Sequence, residues 1–75
     1  MQEMLLFMVR SLVDDRDAVE VDEIEEDDDL VYEVTVAEDD LGRVIGRGGR
    51  VAKALRTVAR AAAQDDRRVL VDILD

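Results

Sequence analysis

The chain has 75 residues, a formal net charge of −10 at pH 7, and neither cysteine nor histidine. That length supports one small domain, residues 1–75, and the missing residue types remove disulfide staples, the usual structural zinc sites and the commonest general bases and nucleophile pairs, so neither an enzyme nor a bound metal or cofactor is expected. The longest uninterrupted apolar run, Met4 to Val9, is far too short to span a bilayer and follows no basic segment, so no membrane segment or signal peptide is expected and the predicted location is cytoplasmic.

The first predicted element is a helix. "MQEMLLFMVRSLV" spaces Leu5, Met8, Val9 and Leu12 as i, i+3, i+4 and i+7, one helical face. Met4 and Phe7 fall off that stripe, which calls for the sheet edge or a second subunit to cover them. "DDRD", from Asp14 to Asp17, reads as a turn. Val19 and Val21 then alternate with Glu20 and Asp22 as in a strand, and Ile24 falls out of phase, which predicts a bulge or the strand's end. Glu26 to Asp29 form a short charged connection into a second strand, Leu30 to Val36, and two strands linked so closely read as an antiparallel hairpin. Alternation puts the lone tyrosine, Tyr32, on the face of Leu30, Val34 and Val36, where it is expected to pack in the core.

Glu38, Asp39 and Asp40 suit the first turn of a helix, where carboxylates meet free N–H groups and the positive end of the dipole. Gly46 ends that helix early. A longer one is predicted from Gly49 or Arg50 to about Gln64, with Val51, Leu55, Val58 and Ala62 as its core face. "RRVLVDIL", from Arg67 to Leu74, closes the chain as a strand with Val69, Val71 and Ile73 on one side. The predicted order is α-β-β-α-α-β: an α/β (α+β) sandwich in which three helices cover one face of a three-stranded sheet.

Charge is segregated along this order. Residues 1–40 hold sixteen acids against Arg10 and Arg16, a net of −14, whereas residues 41–75 hold eight bases against four acids, a net of +4. Between positions 41 and 60 there are six bases and no acid. Screening over roughly 8–10 Å at physiological salt lets such a patch act on a ligand despite distant acids. The acidic run "EIEEDDD" lacks the spacing of an EF-hand loop and reads as a solvated hairpin.

Three of the four glycines lie in the basic stretch, in "VIGRGGRVAKALR". Here Gly46-Arg47-Gly48-Gly49 joins a helix to a helix. A Walker loop needs a G-x-x-x-x-G-K-[ST] spacing that is absent, and a dinucleotide fingerprint would need glycine where Val51 stands. What remains is G-x-x-G. Glycines without a Cβ admit close approach of a sugar–phosphate backbone, the following helix offers unpaired N–H groups, and Arg47 projects a guanidinium that can fork onto phosphate. Arg43 and Arg50 flank the loop. A helix–helix turn that merely needs positive φ is the plainer alternative.

"GRVIGRGGRVAKALR" resembles the K-homology (KH) motif, in which an apolar pair precedes G-x-x-G and an amphipathic helix, and the predicted element order is that of the type II KH fold. The whole chain, through "GRVIGRGGRVAKALRTVARAAA", resembles the KhpA family of small single-KH bacterial RNA-binding proteins. The resemblance implies that Gly46, Arg47, Gly48 and Gly49 form the GXXG loop, with Arg47 as phosphate partner, Ile45 supporting the groove, and Lys53 and Arg56 at basic helix positions. It also implies sequence-tolerant binding of single-stranded RNA, about four nucleotides per groove. An RNA-chaperone or post-transcriptional role, and pairing with itself or with a Jag/KhpB-type protein, are further implications. Gly48 departs from the pattern, because a side chain is common there, and its absence removes a contact. A second class, a protein-interaction module with little RNA affinity, fits the acidic surface and Gly48 but not the intact loop and its basic neighbours.

Overall fold

The computed structural model of the chain describes residues 1–64 and 66–75. Its regular elements are α1 (Gln2–Arg10), β1 (Glu20–Glu25), β2 (Asp29–Thr35), α2 (Leu41–Ile45), α3 (Arg50–Ala62) and β3 (Arg68–Ile73). Short 3-10 turns at Arg16–Ala18, Glu38–Asp40 and Arg47–Gly49 join them. The α-β-β-α-α-β order therefore stands as read, with "DDRD" inside a turn and Gly46 ending α2.

The sheet order is β1-β2-β3, with β1 antiparallel and β3 parallel to the central strand. The hairpin closes where the Glu26 N–H donates to the Asp29 carbonyl at 2.9 Å. A parallel pair cannot be joined by a tight turn, and α2 with α3 supplies the crossover from β2 to β3. The register aligns Val21, Val34 and Ile73 in one cross-strand row, and Leu30 with Val69 and Tyr32 with Val71 in neighbouring rows. These side chains pack against Leu5 and Val9 of α1, Val44 of α2, and Leu55 and Ala59 of α3. Each such buried Val or Leu contributes about 1.5–3 kcal/mol relative to exposure. Tyr32 is buried in this core, as its alternation requires.

Of the two readings of Ile24, a bulge or the strand's end, the second holds: β1 and β2 pair without interruption from Glu20–Thr35 to Glu25–Leu30, where β1 ends. Ile24 stands one residue before the end of β1, on the face no helix covers, in a row with Val31 and Leu70. The expected core face of α3 is corrected: the residues turned to the core are Ala52, Leu55 and Ala59, while Val58 and Ala62 are exposed and Val51 is half-buried. Small side chains let the helix lie close to the sheet. Arg56 follows from the same rotation: its Nε donates to the Val71 carbonyl at 3.2 Å, tying α3 to β3.

Candidate nucleic-acid interface

α2 is only five residues long, and Gly46 stops it with its N–H still donating to the Gly42 carbonyl at 2.9 Å. At φ 76° and ψ 170°, Gly46 occupies a backbone region that is essentially glycine-only. A Cβ there would stand 2.5 Å from Val51 Cγ2 and 2.8 Å from the Val51 backbone N. The space that Gly46 leaves is therefore filled from within by Val51. That contact locks the turn. Gly48 (φ 64°) and Gly49 (φ 78°) are also left-handed, but nothing lies within 4 Å of a Cβ built on either. The close approach expected at Gly46 and Gly49 is thus open at Gly48 and Gly49.

Gly49 precedes the first residue of α3, and no side chain caps that N-terminus or places an acid in its first turn. The first N–H groups of a 13-residue helix are left to find partners elsewhere, next to the cation Arg50. A positive side chain at the positive end of a helix dipole is unfavourable by itself and favourable beside an anion.

The cations fall into two groups. Arg43 Nη1 lies 2.7 Å from Asp40 Oδ1 and 3.2 Å from Asp14 Oδ2. Arg67 approaches Glu25, and Arg68 holds both carboxylate oxygens of Asp29 at 3.0 Å. By contrast, Arg47, Arg50, Lys53 and Arg60 make no ion pair among the described residues. All four are exposed, in the turn and along α3. Arg50, Lys53 and Arg60 recur at helical spacing, so they run for about 15 Å along one flank. Ile45 is exposed at the end of α2, beside the turn, where it offers apolar surface. The structure thus brings Ile45, the Gly46–Gly49 turn, Arg47, Arg50 and Lys53 together, and it places Arg43 behind them in an ion-pair network.

Two residues of this region carried no distinct signal in the sequence. Helical spacing marks Val51 as core and gives no sign that it buttresses Gly46. Asp40 was read only as one of three acids at a helix start, yet it is the buried one, 2% exposed. Its carboxylate accepts the N–H of Asp15 at 3.0 Å and of Asp14 at 3.2 Å. Those two bonds, with the Arg43 guanidinium, hold its pKa below the ordinary aspartate value against the opposing effect of burial. Three consecutive acids before Leu41 give no hint of which of Glu38, Asp39 and Asp40 turns inward.

On its other flank α3 faces α1 across an apolar groove of about 320 Å³, lined by residues that include Phe7, Met8, Leu12, Val51, Ala54 and Val58. Phe7 is 73% exposed at its rim. Among the described residues no helix is long and apolar enough to cross a membrane, and no group of His, Cys, Asp and Glu is placed to hold a metal ion.

Comparison with known proteins points to one family. The profile of the family described as "KhpA/KhpB, KH domain" matches residues 2–73. The chain is 44% identical over 75 residues to the RNA-binding protein KhpA of Caldanaerobacter subterraneus subsp. tengcongensis, covering 99% of this chain and 100% of that one. The same figures hold for the RNA-binding protein KhpA of Clostridium acetobutylicum. Its counterpart of the same name in Borreliella burgdorferi is 45% identical over 74 residues, covering 97% and 90% of the two chains. No solved structure matches the chain.

Proposed function

Because the chain belongs to the KhpA/KhpB family of KH domains, we propose that it is an RNA-binding protein rather than an enzyme, and that it holds single-stranded RNA through the Gly46–Gly49 turn. One observation carries the reading. In a chain with 20 acids and 10 bases, the cations of the turn and of the α3 flank make no ion pair among the described residues and stand beside an uncapped helix N-terminus. In this reading the Gly48 and Gly49 backbone and the first N–H groups of α3 meet phosphate. Arg47 and Arg50 fork onto its oxygens, with Lys53 one turn further on. Ile45 offers apolar surface to an unstacked base. Arg43 holds the base of the turn while keeping outward donors, since its side chain is 52% exposed. Contacts to backbone rather than base edges give sequence-tolerant binding, suited to an RNA-chaperone or post-transcriptional role in the cytoplasm.

The test is binding of a labelled single-stranded RNA pool at 50 and 200 mM salt, wild type beside Arg47→Asp/Gly48→Asp. Aspartate tolerates the left-handed backbone at Gly48 better than most residues, so the variant is expected to fold. With three or four phosphates contacted, at about 0.7 in slope each, wild-type affinity falls roughly 20–50-fold between the two salts. The folded variant is expected to lose most of that binding. Equal binding by both proteins would remove the turn from the interface.

A second surface supports association with another KH chain, a second copy or a Jag/KhpB-type partner: the apolar α1/α3 groove with Phe7 standing exposed at its edge. The hypothesis is distinct from RNA binding because the groove lies on the opposite flank of α3 from Lys53 and Arg60.

A further inference from the structure

α2 is too short to hold its own shape, since isolated helices need about 12–15 residues to be even marginally stable in water. Its orientation must come from outside, and its last residue runs straight into the turn. Val44, fully buried, fixes one side. On the other side stands Asp40, immediately before α2. Its side chain does not cap the helix it precedes. Instead both carboxylate oxygens reach back to the connection between α1 and β1, where Asp14 and Asp15 donate their backbone N–H groups. Arg43, three residues on, closes the network by touching both Asp40 and the Asp14 side chain. A buried acid with all these donors is fully satisfied, and removing it would strand two N–H groups in that connection.

We propose that Asp40 is a positioning residue for the Gly46–Gly49 turn: by tying the α1–β1 connection to the start of α2, it presents the turn in one orientation. The proposal rests on the RNA-binding reading of that turn. A binding constellation has to be held to within about half an ångström by supporting hydrogen bonds behind it. Asp40 touches no ligand. It sets the fraction of molecules whose turn is ready to receive one, and apparent affinity scales with that fraction.

This separates it from a phosphate contact. Loss of a contact lowers the slope of log affinity against log salt by about 0.7, whereas loss of positioning lowers affinity at constant slope. The experiment uses Asp40→Asn, which removes the charge and turns a donor toward a donor. Amide hydrogen exchange is measured on the free protein, and binding of a fluorescein-labelled uridine 12-mer RNA is measured across a salt series. Val69→Ala, a core change in β3 away from the turn, controls for general loss of stability.

Exchange is expected to accelerate together at Asp14, Asp15 and Gly46 to Gly49 in Asp40→Asn, but not in Val69→Ala. RNA affinity is expected to drop about tenfold with an unchanged salt slope, as for a competent fraction reduced to about one tenth. Wild-type exchange at the turn, wild-type affinity, or a slope reduced by a full contact would each overturn the proposal. If wild type itself shows no salt-dependent RNA binding, the RNA reading fails, and with it the role assigned to Asp40, while the exchange data still report whether the tie exists. Should Asp40→Asn not fold, Asp40→Ser takes the carboxylate away from both N–H groups without turning a donor toward either. Faster exchange at Gly46 to Gly49 is expected there too, and wild-type exchange would refute the tie.

Discussion

Replacing Gly46 by alanine tests the conformational basis of the turn most directly. The residue sits at φ 76° and ψ 170°, and strain of this kind costs a non-glycine residue of order 1–3 kcal/mol. The new methyl would also stand 2.5 Å from Val51 Cγ2 and 2.9 Å from Val51 Cβ, forcing α3 or the turn to move. Overpacking of that sort costs about 1–3 kcal/mol, and the lower entropy of the unfolded alanine chain returns about 0.4–1 kcal/mol. The net loss is about 1–5 kcal/mol, which at 4–8 °C per kcal/mol for a domain of this size lowers the melting temperature by roughly 4–40 °C. Gly48→Ala is the matched comparison. Its φ is 64° but the space around it is empty, so only the left-handed penalty of about 1–2 kcal/mol applies, less the same entropy return. Thermal unfolding followed by circular dichroism reads both variants. A Gly46→Ala midpoint equal to that of Gly48→Ala would refute the claim that Val51 closes the turn from within.

The remaining expectations concern pH and association. Asp29 has its pKa lowered chiefly by the hydrogen bond from Arg68, and Asp40 by the N–H groups of Asp15 and Asp14. A folded-state pKa below the ordinary 3.8 contributes stability that is present above that value and lost as pH falls through the lowered one. The stability difference between wild type and Asp29→Asn, from urea unfolding, is therefore expected to be constant above about pH 5 and to shrink below about pH 4; a difference that persists at pH 2 would refute the pairing. If the α1/α3 groove seats a second copy, sedimentation of the 8.4 kDa wild-type chain is expected to give a mass that rises with concentration. Phe7→Glu should then remain a monomer, and a concentration-independent wild-type monomer would count against the association.

The elements with clean periodicity were legible in the sequence. Leu5 and Val9 of the predicted stripe turn α1 toward the core, though Leu12, its last member, is exposed beyond the end of α1, and the alternation of Leu30, Tyr32 and Val34 gives β2 its buried face. α3 was placed well along the chain but misread in rotation. Its core positions include Ala52 and Ala59, whose small side chains carry little hydropathy, whereas the stronger signal of Val51 and Val58 marks the groove facing α1. Hydropathy reports how apolar a residue is, not how closely two backbones approach. The same limit hid the difference among the glycines. The spacing G-x-x-G marks Gly46 and Gly49 alike, but only the contact with Val51 makes Gly46 a packing residue and leaves Gly48 and Gly49 open. Asp40 was hidden for a further reason: its partners are backbone N–H groups 25 and 26 residues away, which have no side-chain identity to read.

The rotation of α3 also bears on how an acidic chain keeps a basic surface in use. Lys53 and Arg60 lie two residues from Val51 and Val58, about 160° apart around the helix at 3.6 residues per turn. One flank of the helix therefore carries exposed cations and the other carries apolar groove. Among the described residues, the acids that form ion pairs hold other cations: Asp14 and Asp40 hold Arg43, Glu25 approaches Arg67, and Asp29 holds Arg68. Acids on the hairpin and the uncovered sheet face add negative potential away from the turn. Arg47, Arg50, Lys53 and Arg60, unpaired among the described residues, set a basic flank against that potential. Net charge of −10 and RNA binding are compatible for this reason. A chain seated in the apolar groove would leave Lys53 and Arg60 uncovered, so association and RNA binding need not compete for α3.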